Sequence, residues 1–249
     1  MKGVVHTGSP APIFVVGCGR SGTHWLAETL DAHPELHSWG ENPSVFGDVT
    51  QLALDPRREN DLLPRLLRRY RDAVRRFAPL RLVDKCHPNL WLVDRLRFAF
   101  PDARFVAIRR DPYATVSSML EHPGVRRWCE QWQRYPLPNR FLGVRRETAA
   151  TYARAPIAER LALRWRAHAE RIAHWEHQDP ARFFAIDYEA LHEPGVAVLA
   201  DLSQFLELES PLRPRPARRE SLHQWRARLG DQERDAIARV AHGAAAAGQ

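Results

Sequence analysis

Six residues, Gly17-Cys18-Gly19-Arg20-Ser21-Gly22, stand between an apolar run and a helical pattern. Residues 13–17 (IFVVG) are short, apolar and β-branched, which reads as a buried strand. The pattern from Thr23 to His33, stopped by Pro34, reads as a helix. Glycines at such a turn let the backbone curl until successive N–H groups face one anion. The helix N-terminus adds about half a positive charge at the same place. Gly17-x-x-x-x-Gly22 has the spacing of a nucleotide P-loop, but that motif continues with Lys and then Ser or Thr. Here Thr23 and His24 follow, so the bridging lysine and the magnesium-binding hydroxyl are missing from their usual places. Arg20 supplies charge from inside the loop instead. A bare Gly-rich turn and an ordinary ATPase or kinase loop are weaker readings than a loop for a smaller, metal-free anion.

The rest of the chain alternates strand-like and helix-like segments. A second short strand is expected at 36–39, ending at Gly40-Glu41, then an amphipathic, Arg-rich helix within 48–80. Further strands are expected at 81–85 (RLVDK), 103–110 (ARFVAIRR) and 182–188 (RFFAIDY). Helices are expected over 89–100, from Asp111-Pro112 onward, over 157–177, from Pro194 to Leu206, and in a last stretch reaching about Ala241. Residues 121–155, rich in Arg and aromatics with three prolines, are expected to be irregular or a lid. The alternation predicts an α/β fold: a single domain over 1–249, a central parallel sheet flanked by helices, and a P-loop-like anion loop. Residues 1–11 and 242–249 are expected to be flexible. In such sheets ligands bind beyond the carboxyl ends of the strands. Gly17–Thr23, Glu41, Lys85–His87 and Arg109–Ser118 all fall there.

Composition narrows the function. The chain has 249 residues, and 37 Lys+Arg against 30 Asp+Glu give a net charge of +7, which favours anionic partners. Only Lys2 and Lys85 are lysines, so Lys85 stands out in an arginine-dominated chain. The arginines are spread along the chain without a nucleic-acid-binding motif, so a nucleic-acid partner is not expected. Three cysteines without ligand-like spacing point to a reducing compartment and no structural zinc. No HExxH or paired-Asp pattern predicts a metal site. The N-terminus lacks the apolar core of a signal peptide, and no apolar run reaches the ~20 residues of a membrane span. The expectation is a soluble, cytoplasmic protein with no membrane partner.

The loop Arg20-Ser21-Gly22-Thr23-His24-Trp25 resembles that of the sulfotransferase family, which uses 3′-phosphoadenosine 5′-phosphosulfate (PAPS). The family loop reads Lys/Arg-Ser-Gly-Thr-Thr-Trp. His24 departs from it where a second Thr is usual, and an imidazole N–H could replace the missing hydroxyl. The resemblance implies that Gly19, Arg20, Ser21, Gly22, Thr23 and His24 hold the phosphosulfate and that Trp25 stacks on adenine; core packing is the alternative for Trp25. The family also carries a strand ending in Arg with Ser eight residues later, which bind the 3′-phosphate. Two pairs have that spacing here, Arg109 with Ser117 and Arg110 with Ser118. Arg110-Asp111-Pro112 resembles the family's turn and selects Arg110 and Ser118. A guanidinium fork suits a dianionic phosphate. Tyr188 resembles the family tyrosine near the adenine or the 3′-phosphate. Arg218-Arg219-Glu220 with Trp225 resembles the closing loop of cytosolic members, with Glu220 in place of Gly.

Sulfuryl transfer needs a base for the acceptor, positive charge for the leaving phosphate and in-line positioning. Arg20 and Lys85 are the candidates for charge. The base lies between two residues. LDAHPELHSWGEN resembles tyrosylprotein sulfotransferases, in which a base Glu occurs at the position of Glu41. Lys85-Cys86-His87 resembles the Lys-Thr-His of cytosolic small-molecule members, in which the His is the base. Glu41 is preferred and His87 is the rival. The resemblance implies a PAPS-dependent enzyme that releases 3′-phosphoadenosine 5′-phosphate (PAP) without a metal. Its acceptor is expected to be a small-molecule hydroxyl, ahead of an amine, in a pocket built from 42–80 and 121–155. A homodimer is left open. The competing reading is a magnesium-dependent P-loop kinase of a small molecule.

Overall fold

The apolar run at the start of the chain is buried on both faces. The computed structural model describes residues 10–192, 197–215 and 219–243. Within it Ile13, Phe14, Val15 and Val16 have no exposed surface. Side chains alternate across a strand. Phe14 and Val16 face one hydrophobic cluster with Leu82, Phe105 and Tyr70, while Ile13 and Val15 face another with Leu26, Leu30, Val83 and Val106. A strand covered on both sides reads as continuous apolar sequence rather than as alternation.

In chain order the elements are β1 (Ile13–Gly17), α1 (Thr23–Asp31), β2 (Leu36–Gly40), α2 (Pro43–Leu54), α3 (Glu59–Phe77) and β3 (Arg81–Lys85). They continue with α4 (Val93–Ala99), β4 (Arg104–Arg109), α5 (Pro112–Leu120), α6 (Pro123–Glu130), α7 (Ala149–Arg154) and α8 (Ile157–Gln178). The last are β5 (Phe183–Asp187), α9 (Ala197–Phe205), α10 (Trp225–Arg228) and α11 (Asp231–His242). The five strands form one sheet in the order β2-β3-β1-β4-β5, and every pairing is parallel. The α/β architecture with a central parallel sheet is thus as the alternation predicts.

Two segments differ from expectation. The region 48–80 is not one helix: α2 ends at Leu54, a 3-10 turn spans Pro56–Arg58, and α3 follows. Pro56 disfavours helical backbone at the residue before it, and Asp55 accordingly adopts φ −141° and accepts a hydrogen bond from Arg57 N. The region 121–155 is not a lid. It contains α6, a 3-10 turn (Trp132–Arg134) and α7, and its apolar residues Phe141, Leu142 and Val144 are buried against α8. Asn139 pins the irregular part, donating to Leu54 O at 2.8 Å and accepting from Leu142 N at 3.1 Å. Most of the two terminal stretches expected to be flexible lies outside the described residues.

Register decides what meets at the carboxyl edge. Gly40 of β2 lies opposite Asp84 of β3 after a bulge at Ser38/Gly40, so Glu41 and Lys85 emerge beside each other. β1 lies between β3 and β4, which places the Gly-rich loop between Lys85 and Arg110.

The aromatic centre of the sheet sets the stability of this frame. Phe14 sits 5.2 Å from the Tyr70 ring and 5.4 Å from that of Phe105. Phe14→Ala is expected to lower the unfolding free energy by about 3–5 kcal/mol in urea titration. A loss under about 1 kcal/mol would show that this cluster does not carry the fold.

Candidate active site

The loop between β1 and α1 packs tightly against its surroundings. Gly22 caps α1 with φ +101°, and a Cβ there would lie 2.5 Å from Tyr188 Cδ2. A Cβ on Gly19 would lie 2.9 Å from His87 Nε2. Arg20 takes the left-handed φ of +77°, which a non-glycine residue adopts at some cost. Its exposed side chain reaches across to α5, where Nε donates to Ser118 Oγ at 3.1 Å. Ser21 and Thr23 are buried, and the Ser21 hydroxyl has no partner. No side chain caps α1, and the first N–H groups of a helix have no intrahelical acceptor. Buried, unpaired polar groups around a curled loop are the features of an anion cradle.

On one side of the loop Lys85 ends β3 with its side chain only 2% exposed. Its ammonium donates to Glu41 Oε1 at 2.7 Å and to His24 Nε2 at 2.7 Å. An ammonium has no acceptor capacity, so His24 is the neutral acceptor here and carries its own proton on Nδ1. Burial, followed by the Lys85 charge, lowers the His24 pKa accordingly. The imidazole that replaces the usual Thr is therefore engaged with the lysine through Nε2. Burial lowers the Lys85 pKa from its ordinary value, although the bonded Glu41 carboxylate pulls the other way. Glu41 is 34% exposed at its side chain, with His24 Nε2 3.9 Å and His87 Nδ1 4.0 Å from its oxygens. His87 is buried, its Nε2 has no partner, and the Phe46 ring lies 5.5 Å away. Burial, then the Arg164 and Lys85 charges, holds the His87 pKa well below the ordinary histidine range.

On the other side, Asp111 caps α5 by accepting from Ala114 N at 2.8 Å, and Pro112 opens the helix. That start puts Ser118 within reach of the loop. Arg110 donates to the carbonyls of Arg20 at 3.2 Å and Ser221 at 2.5 Å. Its guanidinium lies 4.5 Å from the Tyr188 ring centroid, and its Nε has no partner. Tyr188, directly after β5, shares a hydrogen bond of 2.9 Å with Ser221 Oγ. Arg109, by contrast, is held by two carboxylates, Asp187 at 2.8 Å and Glu176 at 2.7 Å. The two Arg–Ser spacings in the sequence are thereby separated: Arg110 and Ser118 face the loop, and Arg109 is part of the scaffold.

Of the residues singled out in the sequence, Gly19–His24, Glu41, Lys85, His87, Arg110, Ser118 and Tyr188 surround this loop. Trp25 is half-buried and packs against the cluster containing Leu26 and Ile108. Arg218 and the Arg219 side chain lie outside the described residues. Trp225 stacks on Tyr113 at 4.8 Å. Two contributors were missed. Ser221 meets both Arg110 and Tyr188, and its proximity to the Arg218-Arg219-Glu220 motif was the available signal. Asp84, next to Lys85, had no signal beyond a charge inside an apolar strand. A cavity of about 520 Å³ along α8, lined by Trp91, Arg140 and Arg166, draws on the 121–155 segment but contains none of the candidate catalytic or donor-binding residues.

Asp84 is buried beneath Lys85. Tyr70 and Asn89 both donate to its Oδ2, at 3.0 and 2.8 Å, while Oδ1 has no partner. Burial raises its pKa to about 7. The folded state thus binds a proton that the unfolded chain releases near its ordinary value, so stability falls as pH rises between about 4 and 7. Asp84→Asn is expected to flatten this slope, which can reach about 1.4 kcal/mol per pH unit. Denaturant titrations across that range check it, and an unchanged slope would place the proton elsewhere.

Known proteins share the fold. A family model described as "Sulfotransferase family" matches residues 12–77 and 68–211. Among solved structures, the sulfotransferase domain of the Synechococcus PCC 7002 olefin synthase aligns with a TM-score of 0.58 at 17% identity, over 97% of each chain. The sulfotransferase domain from the curacin biosynthetic pathway aligns at 0.56 and 18% identity, over 90% of this chain and 79% of that one. A mouse sulfotransferase complexed with PAP aligns at 0.51 and 14%, over 96% and 84%. At these identities the structural matches show the fold. An uncharacterized protein of Aquifex aeolicus is 24% identical over 230 residues; the match takes in 84% of this chain but only 27% of that relative's length.

Proposed function

The chain belongs to the sulfotransferase family, and on that premise we propose that it transfers a sulfuryl group from PAPS to the hydroxyl of a small-molecule acceptor. The observation that carries the proposal is the pair of cationic arms on either side of one glycine loop. Lys85 stands on one side, Arg110 with Ser118 on the other, and Arg20 of the loop itself reaches across to Ser118. A donor with a 5′-phosphosulfate and a separate 3′-phosphate needs two anion sites joined in this way. The loop residues Gly19–His24 take the 5′ group, with the unpaired Ser21 hydroxyl and the N-terminus of α1 as donors. Arg110, Ser118 and Tyr188 take the 3′ end, and the half-buried Trp25, on the first turn of α1, offers an aromatic surface for the adenine. Arg218 and Arg219 are retained as the closing residues of that end.

In the reaction the acceptor oxygen bonds to sulfur while the sulfur–oxygen bond to the 5′-phosphate breaks, leaving PAP and a sulfate ester. The acceptor proton goes to Glu41. Two features favour Glu41 over His87: its carboxylate is partly exposed, whereas His87 is buried and weakened as a base by its surroundings. His87 then packs beneath Gly19 and positions the loop. The Lys85 ammonium, already bonded to Glu41, stabilises the phosphate oxygen as the sulfur leaves it. Phe46, whose ring lies 5.5 Å from that of His87, supplies apolar surface that suits a small organic acceptor. No step requires a metal. The family match favours this reading over the magnesium-dependent kinase.

Calorimetric titration with PAP and with ATP in EDTA tests the donor. Micromolar or tighter binding of PAP with weak binding of ATP is expected; ATP binding that appears only with magnesium, without preference for PAP, would overturn the proposal in favour of the kinase. For the base, Glu41→Gln is expected to lower kcat by about 10²–10⁴-fold with PAP affinity unchanged. Unchanged turnover in Glu41→Gln, together with its collapse in His87→Ala, would transfer the role to His87.

A further inference from the structure

Arg164 of α8 is the one arginine among the described residues whose side chain is wholly buried. Its guanidinium lies between two aromatic rings, 4.7 Å from the centroid of Phe141 and 5.6 Å from that of Trp128. Nη1 donates to two sulfur atoms, Met119 Sδ at 3.4 Å and Cys18 Sγ at 3.5 Å. Nε and Nη2 have no partner. Among the described residues it forms no ion pair, whereas the scaffold arginine Arg109 forms two. A buried guanidinium keeps its charge. Ring faces and thioether or thiol sulfurs satisfy that charge far less than a carboxylate does. The site therefore holds a positive charge that the protein leaves uncompensated.

Its location indicates the missing counter-charge. Cys18 belongs to the glycine loop, between Gly17 and Gly19, and Met119 follows Ser118 on α5. The guanidinium thus touches, from the protein side, both elements that offer groups to an anion on the outer side. Direct contact with that anion is not required, because a field crosses a low-dielectric interior with little screening. The charge also falls on two histidines. His168 donates from Nδ1 to Arg164 O at 2.8 Å and accepts from Trp91 Nε1 at 3.1 Å, which fixes it as the neutral Nδ1–H tautomer. The groups facing His87 are Lys85 from β3, His24 from α1, Arg164 and His168 from α8, and Glu41 after β2 as the opposing carboxylate.

We propose that Arg164 is a positioning residue for the donor: a buried cation beneath the glycine loop whose counter-charge is the anionic group bound on the loop's outer face. The proposal rests on the sulfotransferase reading for the identity of that anion. It does not rest on that reading for the effect on His87.

Arg164→Met tests it, since Met keeps an unbranched apolar stem and removes the charge. Circular dichroism and thermal melting first establish that the variant is folded. Calorimetry is then expected to show PAP affinity reduced by at least about tenfold, with Arg164→Lys within about threefold of the parent. In histidine NMR, with the His87 signal assigned from its loss in His87→Gln, the Met variant is expected to titrate closer to the ordinary midpoint of about 6.5. A folded Arg164→Met that binds PAP within twofold of the parent and leaves the His87 titration unmoved overturns the proposal. Weakened binding with an unmoved His87 does so too, because it marks a purely structural residue. If the Met variant does not fold, Arg164→Lys is decisive, and a tenfold loss of affinity there would show that charge alone is not what the loop uses. If the parent itself does not bind PAP, the sulfotransferase reading falls, while the His87 comparison still decides the role of Arg164.

Discussion

A buried ammonium requires a counter-charge, and the pairing of Lys85 with Glu41 meets that requirement where the sheet ends. The pairing is a consequence of strand register. Gly40 opposite Asp84 brings the next residue of each chain segment out together. A slip of one residue would turn both side chains to opposite faces and strand the lysine. The rest of the edge is arranged around that pair. His24 accepts from the same ammonium, and His87 fills the space under Gly19 while remaining within 4.0 Å of the carboxylate.

Arginine is so abundant here that its presence alone distinguishes nothing, and carboxylates do the sorting. Asp48 holds Arg65 and Arg69, Asp187 and Glu176 hold Arg109, and Glu59 holds Arg95. These residues tie helices and strands together. Arg20, Arg110 and Arg164 instead bond to hydroxyl, carbonyl and sulfur atoms, and all three adjoin the loop. Arg81 and Arg160 also bond carbonyls rather than carboxylates, away from the loop, so it is position at the loop together with the absence of a carboxylate that sets these three apart.

Much of this was legible in the amino-acid order. IFVVG followed by glycines and a helical pattern identified β1, the loop and α1, because a strand buried on both faces and a left-handed glycine each leave a local mark. Lys85 was legible through rarity. The choice between Arg109 and Arg110 came from a family resemblance, and the ion pairs of Arg109 are long-range contacts that no local spacing encodes. The break at Pro56 was legible in principle, since proline restricts the residue before it, but the leucine periodicity on either side masked it. The packing of Phe141, Leu142 and Val144 was not legible, because prolines and arginines between them hide the apolar spacing. Arg164 was hidden for a different reason: within RLALRWRAHAER, one arginine of several faces inward, and only the tertiary contact with Cys18 distinguishes it.

The approach of Gly22 to Tyr188 has a consequence for how this loop can change over generations. A methyl group at position 22 would sit 2.5 Å from the tyrosine ring, in a backbone conformation already unfavourable to L-residues. Position 188 in turn holds Arg110 by its ring and Ser221 by its hydroxyl. The two positions, 166 residues apart in the chain (188 − 22), thus form one mutational unit whose effects will not add. Libraries that randomise the loop by itself will sample almost only losses there. Those that vary positions 22 and 188 together relieve the clash with the ring and leave only the backbone strain to be met.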